Sequence, residues 1–236
     1  VCLAVSVIII GPVPKTSNAW TTPKLPLGGE DKKQGESEPV SLEDIKSEDK
    51  AIRILVANAT SSFLKGSSNV FAAVDDKVSA EKYLRAAEDL SKNPEDPQKI
   101  KDSMMLVDEA DGLLNDIPEK QTELSEKSKK LLGKGIMYVG AGGLLDVKAG
   151  DKSIGFLDKL KGAMESVKAN PTKYGLGATS TLKKSFDLMT FLSSNLPKQG
   201  ATISKTFANL TKYANANGVS VTESDAEKIA VKMEKG

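Results

Sequence analysis

The chain has 236 residues, with Lys+Arg 33 against Asp+Glu 32, 5% aromatic residues and no histidine. Its one cysteine is Cys2, inside an apolar N-terminal stretch. The side chains that most often ligate transition metals, attack as thiolates or move protons near neutral pH are therefore absent or confined to that stretch. A net charge of +1 supplies no bulk field toward nucleic acid or an anionic membrane.

Residues 2–10 (CLAVSVIII) are uncharged and almost wholly apolar, Gly11 and Pro12 end the run, and Ser17-Asn18-Ala19 places small residues where a signal peptidase reads. The pattern predicts a cleaved signal peptide over 1–19, cut after Ala19. The run is about half of the roughly 20 residues a membrane-spanning helix needs. A buried strand through Val5, Val7, Ile8, Ile9 and Ile10 is the competing reading. Residues 20–40 combine Pro, Gly and charge and read as a flexible polar linker, or as an arm docked through Leu25 and Leu27.

From Ser41 to residue 236 the signal is helical. Ser41 is a candidate N-cap, and Leu42, Ile45, Ile52, Leu55, Val56, Ala59, Phe63, Val70, Phe71, Val74, Val78, Leu84, Ala87 and Leu90 keep helical steps. They predict one long helix, weakest at Gly66-Ser67-Ser68-Asn69, where a kink or break is expected. A second helix follows Asn93-Pro94-Glu95-Asp96-Pro97 and runs to Pro118. The polar segment 119–130 reads as an exposed stretch of a long antiparallel helix.

The segment 131–149 (LLGKGIMYVGAGGLLDVKA) differs in kind: glycines alternate with large apolar residues, and no charge occurs over 135–145. One reading is a core helix whose glycines let its neighbours approach closely. The other is an interaction or membrane-insertion segment carried by Gly135, Ile136, Met137, Tyr138, Val139, Gly140, Gly142, Gly143, Leu144 and Leu145. Shorter helices are expected over 151–169, 172–196 with Pro197 closing it or beginning the next turn, and 201–216 ended by Asn217-Gly218; Thr222 and Asp225 open a last helix. The fold class expected is all-α, a bundle of long antiparallel helices with shorter C-terminal ones.

Motifs of known chemistry are near misses. Gly150-Asp151-Lys152-Ser153 sets an aspartate where a phosphate loop cannot accept one, and Gly140-Ala141-Gly142 lacks the third glycine of a dinucleotide loop. Ser62 with Lys65 and Ser180 with Lys183 match the spacing of a serine activated by lysine, without companion motifs. Asp108, Glu109, Asp111 and Asp116 read as a solvated helix face, since carboxylate-bridged metal bundles also need histidine. Lysine pairs such as Lys183-Lys184 read as solvent-facing.

The sequence thus predicts a non-enzymatic, exported structural or interaction subunit, periplasmic or extracellular, with no cofactor, no metal and no nucleic-acid partner. Its partner would be another protein, with membrane contact and homo-oligomerisation left open. The alternatives are a membrane-active protein using 133–145, or a carrier of a small apolar ligand.

Overall fold

The computed structural model describes residues 41–120, 124–175 and 177–235. The expected signal peptide 1–19 and linker 20–40 lie outside them. The described residues form seven α-helices and a short 3-10 turn: α1 Leu42–Ala73, α2 Lys77–Lys92, α3 Pro97–Asn115, the 3-10 turn Ile117–Lys120, α4 Glu126–Ala169, α5 Pro171–Tyr174, α6 Ala178–Ala216 and α7 Glu223–Lys235. The all-α bundle expected from periodicity is what the chain adopts.

Local chemistry sets the helix starts. Ser41, Asp76, Asp96 and Ser125 each accept a backbone N–H of the first turn of α1, α2, α3 and α4, satisfying donors that have no partner inside the helix. Pro97 occupies the first turn of α3, where its missing N–H costs nothing. Thr222 and Asp225 cap α7 reciprocally, Asp225 N–H donating to Thr222 Oγ1 and Thr222 N–H to Asp225 Oδ2, each at 3.3 Å.

Helix boundaries depart from expectation in four places. The first long helix does not break at Gly66-Ser67-Ser68-Asn69 but at Val74, Asp75 and Asp76, with Asp75 at φ 62° and Asp76 capping the next helix. Gly66 instead lies inside α1, at its contact with α4. Segment 119–130 is not one exposed helical stretch, because the 3-10 turn is followed by the Ser125 cap that starts α4. The predicted helices 131–149 and 151–169 are one helix of 44 residues passing through Gly150. Finally, Gly175 at φ 79° separates α5 from α6, and α6 passes through Pro197 to Ala216. Pro197 leaves the Ser193 carbonyl without its helical donor, yet the buried residues Leu192, Leu196, Ile203 and Phe207 hold both sides of the proline on the same core.

Helix α4 is the centre of the bundle. Gly66 and Gly135 mark the crossing of α1 and α4, and Gly142 meets Ala59 and Phe63 farther along, so the two helices run antiparallel. Gly140 meets Phe207, and Gly150 meets Leu196 and Pro197, so α4 and α6 are antiparallel as well. The core divides along this axis. One half holds Ile52, Leu55, Val56, Leu145, Phe156 and Leu192. The other holds Phe63, Phe71, Tyr83, Ile136, Val139 and Phe207. Helices α2 and α3 pack on α1, and α7 packs on α4.

Candidate functional site

The segment singled out in the sequence lies mainly inside the bundle. Gly135, Ile136, Val139, Gly140, Gly142, Gly143 and Leu145 are buried, and only Met137, Tyr138 and Leu144 reach the surface in part. Gly135 faces Gly66 and Val70 of α1, while Gly140 faces Phe207 and Ala226. In this arrangement 135–145 offers no continuous apolar face to a membrane or a partner. No helix among the described residues is long and apolar enough to cross a membrane.

The two serine–lysine pairs separate. The Ser62 hydroxyl donates to the Tyr138 carbonyl at 2.8 Å and ties α1 to α4, so its proton is committed to structure. Ser180 is exposed near the start of α6. Asn58, another polar residue of α1, donates to the Met233 carbonyl at 2.9 Å and ties α1 to α7.

A face with polar chemistry forms where α3 meets α6. Gln199 Nε2 donates to the Met104 carbonyl at 3.1 Å and to Asp108 Oδ1 at 3.3 Å. One helical repeat farther, the Thr206 hydroxyl donates to Asp111 Oδ1, and Asn115 Nδ2 donates to Thr206 Oγ1 at 3.0 Å. The sequence separation across these bonds stays between 91 and 95, so α3 and α6 run parallel and in register. That parallel pair departs from a purely antiparallel bundle.

Asp111 also departs from the solvated face expected for the acidic cluster. It is only 6% exposed, and burial raises its pKa against the opposing bonds from Thr206 and Asn115, with Asp108 adding to the rise. Asp108, Glu109 and Asp116 are exposed as expected. The Glu109 carboxylate is held below its usual range by its bond from Lys82 Nζ at 2.6 Å and by the Tyr83 hydroxyl. No group of three or more acidic, cysteine or histidine side chains among the described residues is placed to hold a metal.

Asp146 was not legible as a special position. It sits on α4 at 1% exposure, its Oδ1 has no hydrogen-bond partner, and burial pushes its pKa well above the ordinary aspartate value, with the Asp108 charge adding to the shift. Gly200 lies close by: a Cβ there would stand 3.8 Å from the Asp146 Cβ. The Oε1 of the buried Gln199 is likewise unpartnered. In the sequence, Asp146 sits between Leu145 and Val147, and that interruption of an apolar run was the signal available.

On the outer side of this seam lies a groove of about 230 Å³ between α3 and α6, with Met104, Met105, Asp108, Phe191, Lys198 and Gln199 among its walls. Lys101 Nζ stands 5.3 Å from the centre of the Phe191 ring. Met105 is 62% exposed. Outside its walls, exposed acids run along α3 at Asp102, Glu109 and Asp116; exposed lysines run along α6 from Lys198, itself in the wall, to Lys205 and Lys212 beyond it, each series repeating every two helical turns. A second concavity of about 280 Å³, where α1 and α6 begin, is walled by Leu42, Ile45, Tyr174, Ala178 and Leu182 with Lys46 at its rim.

The fold and this face define an all-α bundle with an amphipathic two-helix surface. No protein-family model matches the chain, no curated protein matches it, and no solved structure matches it.

Proposed function

We propose that this chain is a non-enzymatic, exported structural or interaction subunit, acting in the periplasm or outside the cell by presenting the α3–α6 face to a protein partner. The observation that carries the reading is Met105, a large apolar side chain 62% exposed between a row of carboxylates and a row of lysines. Interfaces of this kind set apolar anchors inside a charged rim, the rim choosing the partner and the anchors excluding water. The Ser62 hydroxyl, one of the two that a catalytic reading would recruit, is instead spent on a helix-to-helix bond. Export is supported by the apolar run 2–10 and by Ser17-Asn18-Ala19.

The test is a photo-crosslinking amino acid at Met105, introduced into the full chain in its source cells, followed by fractionation. A discrete adduct in the exported fraction, abolished by Lys198→Glu with Lys205→Glu, supports the reading. Retention of the chain in the cytosol, or absence of any adduct, overturns it.

A further inference from the structure

Charge on the α3–α6 face is separated but not neutralised. Lys198, Lys205 and Lys212 are exposed, and none has an ion-pair partner among the described residues. Among the described side chains Asp102 accepts only from Gln98, at 2.7 Å, and Asp116 has no cation partner. Glu109 is the one acid of its row already paired, with Lys82. Two opposite stripes of equal spacing, on parallel helices of one molecule, make a surface complementary to itself.

We propose that the α3–α6 face binds a second copy of this chain, forming a two-fold dimer; the inference rests on the interaction reading above and names its partner. A two-fold axis running along the two helices lays α3 of each copy over α6 of the other, parallel and at equal height. The separation of 91 to 95 that relates bonded residues of α3 and α6 then fixes the register. By that relation Asp102 comes level with residues 193–197, Glu109 with 200–204 and Asp116 with 207–211. Each acid thus stops one to five residues short of Lys198, Lys205 or Lys212, no more than about a turn and a half away along the axis. Symmetry repeats the pairings of Asp102 and Asp116, while Glu109 shares its charge between Lys82 and Lys205; Met105 falls between Asp102 and Glu109, and Phe191 lies level with residues 96–100, just before Asp102.

Helix α3 is 19 residues, about 28 Å, and two helices side by side are about 20 Å wide. The face therefore buries roughly 600 Å² per copy, near the low end for specific complexes. A reversible dimer follows, responsive to concentration and to salt.

Sedimentation velocity of the full chain across a concentration series tests this. The mean mass should rise toward twice the monomer, and high salt should reverse it. Lys198→Glu with Lys205→Glu and Lys212→Glu should weaken self-association at least tenfold, as should Asp102→Lys with Asp116→Lys. An equimolar mixture of these two variants should restore a dimer, because each then offers the stripe the other needs; circular dichroism of each alone checks that it is folded. A monomer at every concentration overturns the proposal, as does a dimer that neither charge reversal weakens. If the chain stays monomeric while the crosslinker at Met105 captures a different protein, the dimer fails and the interaction reading stands; if it captures nothing, both fail.

Discussion

Gly66 and Gly135 face each other where α1 crosses α4, and each occupies the space a side chain on the other would need. A Cβ on Gly66 would stand 2.7 Å from the Gly135 carbonyl oxygen, and a Cβ on Gly135 would stand 2.8 Å from that of Gly66. These contacts are with backbone, so a methyl group cannot be absorbed by a rotamer change. Gly66→Ala or Gly135→Ala should cost about 1–3 kcal/mol through forced separation of the helices. Thermal unfolding should register each as a drop of roughly 2–4 °C per kcal/mol. An unchanged melting temperature in both would mean the crossing is looser than described.

The opposite sign is expected at Gly155, also in α4, where an added Cβ meets nothing within 4 Å. Gly155→Ala should raise stability by about 0.5–1 kcal/mol, because alanine loses less backbone entropy on entering a helix. Denaturant melts of Gly155→Ala and Gly135→Ala side by side compare the two environments within one helix.

Asp146 makes stability depend on pH. Its pKa is raised in the folded protein, so the folded state holds a proton that the unfolded chain releases above the ordinary aspartate range, about 3.9. Its contribution is fully present below that range and is lost as pH rises toward the folded-state pKa, at up to about 1.4 kcal/mol per pH unit. Asp111 adds a change of the same sign, and Glu109, whose pKa is lowered, one of the opposite sign that sets in as pH falls. Asp146→Asn should flatten the decline and be the more stable protein near neutrality. Urea unfolding of both chains from acid to neutral pH measures it; parallel profiles would show that Asp146 ionises as freely when folded as when unfolded.

The Thr206 hydroxyl supports a buried carboxylate. Thr206→Val keeps the shape but removes the donor to Asp111 Oδ1, leaving that oxygen in the seam without its hydroxyl partner. A loss of about 1–3 kcal/mol is expected, larger at neutral than at acid pH because the ionised carboxylate suffers more. In the double variant with Asp111→Leu the loss should shrink, since no carboxylate remains to be stranded.

Asp75 holds a left-handed conformation at φ 62° between α1 and α2, a geometry glycine adopts without cost. Asp75→Gly should stabilise the junction by a few tenths of a kcal/mol up to about 1 kcal/mol, read as a higher denaturant midpoint. A lower midpoint would mean that the exposed Asp75–Lys77 pair at 3.5 Å matters more than the backbone.

Glycine shows why local sequence patterns carry the fold class but not the helix boundaries. Gly66 beside Ser67, Ser68 and Asn69 has low helix propensity, and that local measure points to a break. The true break at Asp75 carries only a pair of aspartates, one left-handed and one capping, a weaker local signal that the chain uses because α2 can there fold back onto α1. Pro197 misled in the same way: proline disfavours a helix interior, but buried residues on both sides of it share one core and outweigh the lost bond.

The sequence by itself determined the all-α class, the caps at Ser41, Thr222 and the Asn93–Pro97 connection, and most of the inward face of α1, whereas Val78 and Leu84 of α2, expected on the same face, are exposed at 82% and 42% because α2 starts a new helix after Asp76. These depend on periodicity and on side chains reaching their own backbone, both of which act over a few residues. Only the tertiary structure decided that 135–145 is packed among α1, α6 and α7, that Asp146 is stranded in the core, and that α3 and α6 lie parallel with acids beside lysines. Each of those requires residues some 40 to 95 positions apart to be set against one another, and no local pattern carries that distance.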